Sequence, residues 1–296
     1  MQDDPVLQRF SLSQDDLLGH GGESRVYALD DERILRVYER GADRGYVDRL
    51  REFYQRVGRH ALPFEIPVVI EIAMHGDLLY AIEQRIQGSR MSDFLKKATG
   101  EARMRSLVSY VETAGRIQEL PLEADDFGEL LLPKPVRQPA WAEYLAAHGR
   151  DSLSRGEADL SQDVPGLKDI VAAWERSLDL VSDVTTPSLV HGDYFPGNVM
   201  VDDRGQVIAV IDFSPMTLSG DPRLDVLCAL IFIEVDDGYQ SGDSETVRQL
   251  IAERHGEAIL RLEDVYRTYY SLYFSPVKRS DPKLYAWCVK NLTEHR

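Results

Sequence analysis

Two carboxylates and an amide lie close together along one part of the chain. Residues 189–201 read LVHGDYFPGNVMV, and there Asp193 lies five positions before Asn198. Asp212 follows Asn198 by fourteen positions. An amide oxygen and a carboxylate suit Mg²⁺, and a second carboxylate can accept a proton from a hydroxyl or orient that hydroxyl. Each residue alone is typical of a turn, but the three together favour a catalytic site.

The segment between Asn198 and Asp212 predicts how these side chains come together. It reads NVMVDDRGQVIAVIDF, with two apolar runs around the turn residues Asp-Asp-Arg-Gly, which indicates a β-hairpin. A hairpin returns its last residue beside its first, so we expect Asn198 and Asp212 to be neighbours. Asp193, just upstream, should face the same volume.

Two segments, HGDYFPGN and IDFSPMTLSGDPRLD, resemble the signature of the aminoglycoside phosphotransferase and choline-kinase-like family, which has the protein-kinase fold. The matching residues are His191-Gly192-Asp193, Asn198, Ile211-Asp212-Phe213, Gly220-Asp221-Pro222 and Asp225. In a looser way the resemblance covers nearly the whole chain, since the order of strands and helices also agrees.

The resemblance implies a role for each motif residue. Asp193 would be the catalytic base or would orient the acceptor hydroxyl. Asn198 and Asp212 would hold Mg²⁺ on the phosphates of a bound nucleotide. The remaining motif residues would support the catalytic loop and the helix that follows: His191, Asp221 and Asp225.

A literal DFG triplet occurs at Asp126-Phe127-Gly128, but its position argues against a metal site. In protein kinases the DFG segment follows the catalytic loop, whereas this triplet precedes Asp193 by 67 positions. We therefore expect a loop of the helical part here, and Asp212 remains the candidate metal ligand.

The pattern along the chain predicts a small strand-rich lobe and a larger helical lobe, and with the resemblance this implies an α+β, two-lobed protein-kinase-like fold. Apolar runs around the turns at 30–32 and 74–77 indicate two antiparallel hairpins, and residues 46–62 have helical spacing. Residues 1–86 should form a small nucleotide-binding lobe, an antiparallel sheet with one helix. Residues 87–296 should form a larger, mainly helical lobe for catalysis and acceptor binding, whose first helix has Ser92 as its predicted N-cap.

The small lobe contains a glycine-dense segment, LGHGGESRVY, with Gly19, Gly21, Gly22 and Ser24. Glycines let a main chain approach phosphates and present N–H groups to them. The segment matches neither G-x-G-x-x-G nor a Walker A sequence, so an ordinary hairpin turn is the alternative. Its place before two strands, in a chain with the catalytic loop, favours nucleotide binding.

A kinase also needs a cation on the strand after this loop to hold the α- and β-phosphates. The chain has no lysine before Lys96, which leaves Arg36 in RILRVY, and the family often writes this strand V-L-R. We predict that Arg36 pairs with Glu52 on the following helix. The alternative is that Glu52 pairs with its helix neighbours Arg49 and Arg51.

The segment AIEQRIQG, which links the lobes, should read the adenine edge through its main chain near Glu83 and Arg85. The resemblance implies that an acceptor binds in the helical lobe, across from the nucleotide. An acidic cluster of Glu234, Asp236 and Asp237 would suit an amine-bearing acceptor, although a solvated loop is slightly favoured.

Two aromatic residues of the helical lobe are further acceptor candidates. Trp141 and Tyr144 could stack on a sugar or an ammonium group. Their spacing of three positions favours ordinary helix packing instead.

Composition excludes several classes of protein. Of 296 residues, 43% are hydrophobic and 28% charged, as in ordinary soluble proteins. A net charge of −16 disfavours nucleic acid as a partner, and no signal peptide or membrane span is recognisable. The longest apolar run, 226–235, should be a buried helix or strand. Two cysteines make no disulfide framework, so we expect a cytoplasmic protein.

The sequence therefore predicts a small-molecule kinase that uses ATP or GTP with Mg²⁺ and phosphorylates a hydroxyl of an aminoglycoside or a similar amine or sugar metabolite. A catalytically silent pseudokinase with a regulatory or scaffolding role is the alternative, and the presence of Asp193, Asn198 and Asp212 argues against it. A protein-substrate kinase is disfavoured because no A-P-E-like segment follows Asp212.

Overall fold

A computed structural model describes residues 5–294 of the chain. The small lobe contains a five-stranded antiparallel sheet with the order β1-β2-β3-β5-β4. Its strands are β1 (Leu17–His20), β2 (Ser24–Ala28), β3 (Arg33–Tyr38), β4 (Val69–His75) and β5 (Leu78–Gln84). Two helices pack on it, α1 (Pro5–Phe10) and α2 (Arg44–Val57). The two hairpins and one of these helices confirm the predicted elements of this lobe.

The register of this sheet decides which side chains share a face. Arg36 lies opposite Val26 of β2 and opposite Ala81 of β5. Side chains alternate along a strand, so residues two positions from these partners point to the same side as Arg36. Ser24 and Glu83 are those residues, and both come to lie beside Arg36.

Helix α2 forms because its apolar residues recur at helical spacing. Asp43 caps its first turn by accepting a hydrogen bond of 2.8 Å from the main-chain N–H of Gly45. The residues on its inward face are Val47, Leu50, Phe53, Tyr54 and Val57.

The sequence did not predict helix α1 or strand β1. Helix α1 has only six residues, too few for a periodic signal, yet it buries Val6 and Leu7 on the outer face of the sheet against Tyr27 and Leu35. Strand β1 contains Gly19, a residue type that is depleted in strands.

The large lobe is mainly helical, as predicted. Its helices are α3 (Met91–Leu95), α4 (Gly100–Arg116), α5 (Trp141–Asp163), α6 (Leu167–Ser177), α7 (Arg223–Ile231), α8 (Asp243–His255), α9 (Glu263–Tyr273) and α10 (Pro282–Glu294). The apolar run at 226–235 is a buried helix, because α7 lies inside the lobe with eight of its residues shielded from solvent. Helices α4, α8 and α9 pack around it.

Short strands between these helices form two small antiparallel sheets. They are β6 (Ser89–Arg90), β7 (Phe127–Glu129), β8 (Arg137–Gln138), β9 (Ser188–Val190), β10 (Val199–Val201), β11 (Val207–Val210) and β12 (Leu218–Gly220). Their orders are β11-β10-β6 and β8-β7-β12-β9. Strands β10 and β11 are the hairpin predicted between Asn198 and Asp212.

The β10–β11 hairpin has main-chain contacts with both lobes. On the large-lobe side, the N–H of Val207 donates to the hydroxyl of Ser109 on α4 at 2.9 Å. On the other side, Glu65 follows α2 in the small lobe. Its N–H donates to the carbonyl of Ile208 at 2.8 Å, and its carbonyl accepts from the N–H of Val210 at 3.1 Å. The loop between α2 and β4 is thereby attached to the hairpin.

Two local predictions in the large lobe were wrong. Phe127 and Gly128 lie in strand β7 rather than in a loop, whereas Asp126 precedes the strand and pairs with Arg137. Ser92 does not cap α3, since Arg90 holds the N-cap position and the Ser92 hydroxyl instead donates to Asp236.

The predicted lobe boundary after residue 86 falls between β5 and β6, where the chain leaves the small-lobe sheet. Over residues 5–294, none of the helices has the length and apolar character needed to cross a bilayer.

Candidate active site

A cavity of about 800 Å³ opens between the lobes. Arg36 and Glu83 line it from the small lobe. Asp193, Asn198 and Asp212 line it from the large lobe. The three side chains that the sequence singled out for chemistry therefore share one cavity.

The β10–β11 hairpin brings these residues together as expected. The N–H of Ile211 donates to the carbonyl of Asn198 at 2.9 Å, which fixes Asp212 at the base of the hairpin. The Nδ2 of Asn198 then donates to Oδ2 of Asp193 at 3.0 Å and to its main-chain oxygen at 2.9 Å. One amide thus orients the candidate base.

Asp212 has an unusual main chain. Within residues 5–294, Ser11 and Asp212 are the non-glycine residues with positive φ, and the φ of Asp212 is 58°. Aspartate tolerates this left-handed region better than most residues, and such conformations concentrate at functional sites. Burial opposes ionisation of Asp212, but Arg36 and then Arg90 outweigh it and hold the pKa of this carboxyl below its ordinary value. Asp212 is therefore a carboxylate at neutral pH.

Arg36 joins the two lobes through its guanidinium. Its Nε donates to Oε1 of Glu83 at 2.7 Å, and its Nη2 donates to Oδ1 of Asp212 at 2.9 Å. Its Nη1 donates to the hydroxyl of Ser24 at 3.2 Å. Breaking a buried ion pair by removing one partner leaves an uncompensated charge, so this triad constrains the site strongly.

The predicted pair of Arg36 with Glu52 was wrong. Residues 50, 53 and 57 of α2 face the core, and Glu52 points away from them into solvent. Glu83, on the neighbouring strand β5, supplies the carboxylate instead. Glu83 was predicted as a main-chain contact of the linker, but it lies inside the sheet and acts through its buried side chain.

Arg85 was also wrongly placed among the nucleotide contacts. Its N–H donates to the carbonyl of Glu32 at 2.8 Å, and its guanidinium donates to the carbonyl of Asp30 at 3.0 Å. These bonds hold Arg85 against the β2–β3 turn, outside the cavity.

The glycine-dense segment is both a hairpin turn and part of the cavity wall. The N–H of Gly21 donates to the carbonyl of Ser24 at 2.9 Å and closes the β1–β2 turn. Gly19, Gly21, Gly22 and Ser24 all line the cavity. A Cβ at Gly21 or Gly22 would meet no atom within 4 Å, so this part of the main chain is open to a ligand.

Asp193 ionises closer to neutral pH than an ordinary aspartate does. Burial raises its pKa to about 6, against the opposing hydrogen bond from Asn198 and with a smaller contribution from Asp212. A base whose pKa lies just below neutrality is mostly ionised at pH 7 and still has affinity for a proton.

His191 has the contacts of a supporting residue. Its Nδ1 accepts from the N–H of Asp193 at 3.2 Å, so its Nε2 carries the proton and donates to the carbonyl of Ile211 at 2.9 Å. Burial lowers the pKa of His191 to about 4, which keeps the ring neutral. His191 thus links the strand before the catalytic loop to the end of the hairpin.

Asp225 on α7 holds the catalytic loop from behind. Its two carboxylate oxygens accept from the N–H groups of His191 and Gly192 at 2.8 and 2.9 Å. Burial raises the pKa of Asp225 to about 7, although these two hydrogen bonds favour the charged form. Gly192 is also held through its carbonyl, which accepts from the hydroxyl of Tyr270 at 2.6 Å.

Asp221 anchors the start of α7, as the resemblance implied. Its Oδ1 accepts from the N–H of Arg223 and from the guanidinium of the same residue, both at 2.9 Å. Its other oxygen accepts from the hydroxyl of Tyr266 on α9. Asp221 therefore fixes the helix that carries Asp225.

The predicted acidic cluster divides in two. Glu234 is bound by Arg267 through bonds of 3.0 and 3.2 Å and lies outside the cavity, so it is not an acceptor residue. Asp236 and Asp237 do line the cavity. Asp236 accepts from Ser92, and burial raises its pKa.

Trp141 and Tyr144 are core residues, which makes their assignment as acceptor contacts wrong. Both are fully buried, and their rings stack with centroids 5.3 Å apart. The indole N–H of Trp141 donates to the hydroxyl of Tyr266 at 3.0 Å. The helix-packing interpretation of these two residues is therefore confirmed.

The sequence analysis missed two parts of the cavity wall. One is Arg90 on β6, a single arginine in QGSRMS that no motif marks. The other is an apolar part of the wall, to which Phe232, Phe274 and Leu284 contribute. These three residues come from α10 and from the segments after α7 and α9, and only the tertiary fold brings them into the same cavity as Asp193.

The donor set fits a magnesium ion that is shared with a nucleotide. In the part of the chain from residue 5 to 294, no hydrogen bond engages Oδ1 of Asn198 or Oδ2 of Asp212. No group of three or more His, Cys, Asp or Glu side chains within that range could hold a metal. Mg²⁺ in kinases takes one or two protein oxygens and completes its shell with phosphates and water. Asn198 and Asp212 would supply such a pair of oxygens.

Comparison with known proteins agrees with this architecture. A family model described as the phosphotransferase enzyme family matches residues 16–267, most of the chain, and the chain belongs to that family. No curated protein matches the sequence.

Several solved structures have the same kinase-like fold. ADP-bound aminoglycoside phosphotransferase APH(2'')-Ib is 18% identical, with a TM-score of 0.64 over 95% of this chain and 92% of that one. A related phosphotransferase in complex with GDP and kanamycin is 17% identical, with a TM-score of 0.62 over 97% and 95%. A type I macrolide 2'-phosphotransferase is 14% identical, with a TM-score of 0.56 over 94% and 90%. At these identities the likeness concerns the fold.

We predict that Gly192→Ala destabilises the protein more than Gly166→Ala does. Both glycines have positive φ, 77° and 74°, so each variant loses about 1–2 kcal/mol of unfolding free energy. A Cβ at residue 166 meets no atom within 4 Å, whereas one at 192 overlaps the carbonyl oxygen of Met216. This overlap should cost about 1–3 kcal/mol more, measured by urea denaturation. Equal losses would mean that the catalytic loop is not tightly packed.

Proposed function

We propose that this member of the phosphotransferase enzyme family is an active small-molecule kinase. It transfers the γ-phosphoryl group of ATP or GTP to a hydroxyl of an aminoglycoside or a similar amine- or sugar-containing metabolite. The observation that carries the proposal is the convergence of Asp193, Asn198 and Asp212 on one cavity, opposite Arg36. A silent nucleotide-binding module would not need a candidate base at that place.

Asp193 acts on the acceptor hydroxyl. Its carboxylate is oriented by Asn198, which leaves Oδ1 free of the amide contact. With a pKa of about 6 it accepts the hydroxyl proton or holds the hydroxyl in line with the γ-phosphorus. His191 and Asp225 keep the loop from moving while this happens, so the barrier is lowered chiefly by positioning.

Arg36 acts on the nucleotide. Its guanidinium lies on the cavity wall beneath the open glycine segment, where it would contact the α- and β-phosphates. Glu83 holds the guanidinium in place. Asn198 and Asp212 would hold Mg²⁺, which when bound neutralises negative charge on the phosphates.

The acceptor binds at the end of the cavity that Asp236, Asp237 and Lys283 line. Asp237 lies 3.3 Å from Lys283, and both are exposed, so this pair rearranges at little cost to bind an amine. Phe232 and Phe274 cover the neighbouring wall with apolar surface. Such a wall favours an acceptor with a ring or carbon skeleton beside its amine. A cytoplasmic location, with its supply of ATP and Mg²⁺, belongs to the same proposal.

The direct test is ADP or GDP release by the pure protein with Mg²⁺ and a panel of hydroxylated amines and sugars, aminoglycosides included. We expect release above the acceptor-free rate for at least one acceptor. The isosteric variant Asp193→Asn should lower kcat by about 10²–10⁴-fold and leave nucleotide affinity unchanged, since this side chain acts on the acceptor. The exposed turn variant Asp203→Asn serves as the control. Nucleotide binding without turnover across the panel would favour the pseudokinase instead.

The pH dependence of kcat/KM for the acceptor should report the ionisation of Asp193. Its carboxyl must be ionised to accept a proton, so the rate is full above a pKa of about 6 and falls as the pH drops through that value. The measurement is a pH–rate profile from 4.5 to 8.5. A profile that stays flat down to pH 5 would contradict the raised pKa of this residue.

We predict that Asp212→Asn abolishes the dependence of nucleotide affinity on Mg²⁺. Asparagine tolerates positive φ, so the main chain keeps its conformation while one charged metal ligand is lost. Titrations of ADP at several Mg²⁺ concentrations should show rising affinity for the wild type and constant affinity for the variant. The same rise in both proteins would remove Asp212 from the metal site.

A further inference from the structure

We propose that Arg90 is a second phosphate-contacting side chain, so that two guanidinium groups, one from each lobe, hold the polyphosphate of the nucleotide. The inference rests on the proposed kinase function and extends it to a residue that no sequence motif marks. It follows from the position, the packing and the partners of this arginine.

Arg90 is held firmly at the start of the large lobe. It lies on β6, where it pairs with Met200 of β10, the strand that follows Asn198 directly. Its side chain is half-buried and enters the cavity that also contains Arg36 and Asp212. The main chain of Arg90 is therefore fixed relative to the candidate metal ligands.

The guanidinium of Arg90 packs directly against the main chain of Gly19 in the small lobe. A Cβ built on Gly19 would stand 3.1 Å from Nη2 of Arg90 and 3.2 Å from its Cζ, closer than ordinary van der Waals contact. Gly19 does not have positive φ, so its conformation suits any residue. The absence of a side chain at residue 19 thus leaves the space that the guanidinium fills.

Arg90 has no carboxylate partner among residues 5–294, whereas Arg36 is bound by Glu83 and Asp212. The charge of Arg90 nevertheless acts on Asp212, whose pKa it helps to lower. A half-buried cation in a ligand cavity without an ion-pair partner favours an anionic ligand. The planar guanidinium matches the oxygens of a phosphate group, which it binds through two hydrogen bonds.

The two arginines approach the cavity from different sides. Arg36 comes from β3 of the small lobe, and Arg90 comes from the β6–β10 pair of the large lobe, below β1. Between them they would hold the phosphate chain beneath the glycine segment. Arg36 stays oriented by Glu83 in the absence of ligand, and Arg90 gains its first charged partner when the nucleotide binds.

The test compares ADP with adenosine, which has no phosphate, by calorimetry on the full-length protein with Mg²⁺. Arg90→Met keeps the length of the side chain and removes its charge. We expect it to weaken ADP binding by about 10- to 100-fold, the effect of lost hydrogen bonds to a charged group, and to leave adenosine binding unchanged. Arg90→Lys should restore part of the loss. Arg40→Met, at an exposed surface pair with Asp77, controls for net charge.

A double-mutant cycle with Gly19 tests the packing contact. Gly19→Ala alone should weaken ADP binding, because its methyl group displaces the guanidinium. In the Arg90→Met background the same change should have no further effect on ADP affinity, since no guanidinium remains to be displaced from the phosphates. Independent, additive losses would contradict the contact.

The remaining outcomes of the binding measurements would contradict either the role of Arg90 or the proposed kinase function. Unchanged or tighter ADP binding by Arg90→Met would overturn the proposal, because the side chain would then be inert or obstructive. Equal weakening of ADP and adenosine would overturn it too, since Arg90 would act on the nucleoside or on the fold. Failure of the wild type to bind ADP at all would instead refute the proposed kinase function.

Discussion

The buried carboxylate of Asp225 constrains the rest of the site. It accepts two main-chain N–H groups from consecutive residues, His191 and Gly192, and so determines where the catalytic loop begins. An unpaired N–H in this interior would cost about 1–3 kcal/mol, so the loop has little freedom to choose another path. Helix α7, which carries Asp225, is buried between α4, α8 and α9 and provides the rigid base that such a contact needs.

Further hydrogen bonds connect this loop to the candidate reacting groups. His191 uses one ring nitrogen to orient Asp193 and the other to hold the residue before Asp212. Asn198 completes this hydrogen-bond network through its bonds to Asp193. Because each bond fixes the next residue, the candidate base and the candidate metal ligands are positioned as one unit. Preorganised groups of this kind spend little energy on reorganisation when charge develops.

The sequence predicted well what depends on neighbours along the chain. The β10–β11 hairpin follows from two apolar runs and a turn, and its closure places Asn198 and Asp212 without further information. The sequence did not predict the side-chain contacts that depend on the register between strands. Arg36 finds Glu83 because β3 and β5 pair with Arg36 opposite Ala81, and no local pattern reveals that pairing.

The acceptor residues were hard to predict for the same reason. Trp141 and Glu234 have the chemistry of ligand contacts, but packing against α9 occupies both of them. Whether an aromatic or acidic side chain is free for a ligand depends on whether a helix distant in sequence packs against it. The charge pattern and the spacing of residues along the chain do not reveal this tertiary packing.

The attachment of Glu65 to strand β11 has a consequence for how the cleft can open. Two main-chain connections join the small lobe to the large lobe, the covalent segment after β5 and this pair of hydrogen bonds, in addition to side-chain contacts such as the Arg36–Asp212 ion pair. A rigid rotation of the small lobe that keeps both main-chain connections would take place about the axis through them. Atoms near that axis hardly move, whereas the tip of the β1–β2 turn, far from it, travels the most. A rotation of this kind would open the cavity at the β1–β2 turn and break the Arg36–Asp212 ion pair, while the carboxylates of the large lobe stay where they are.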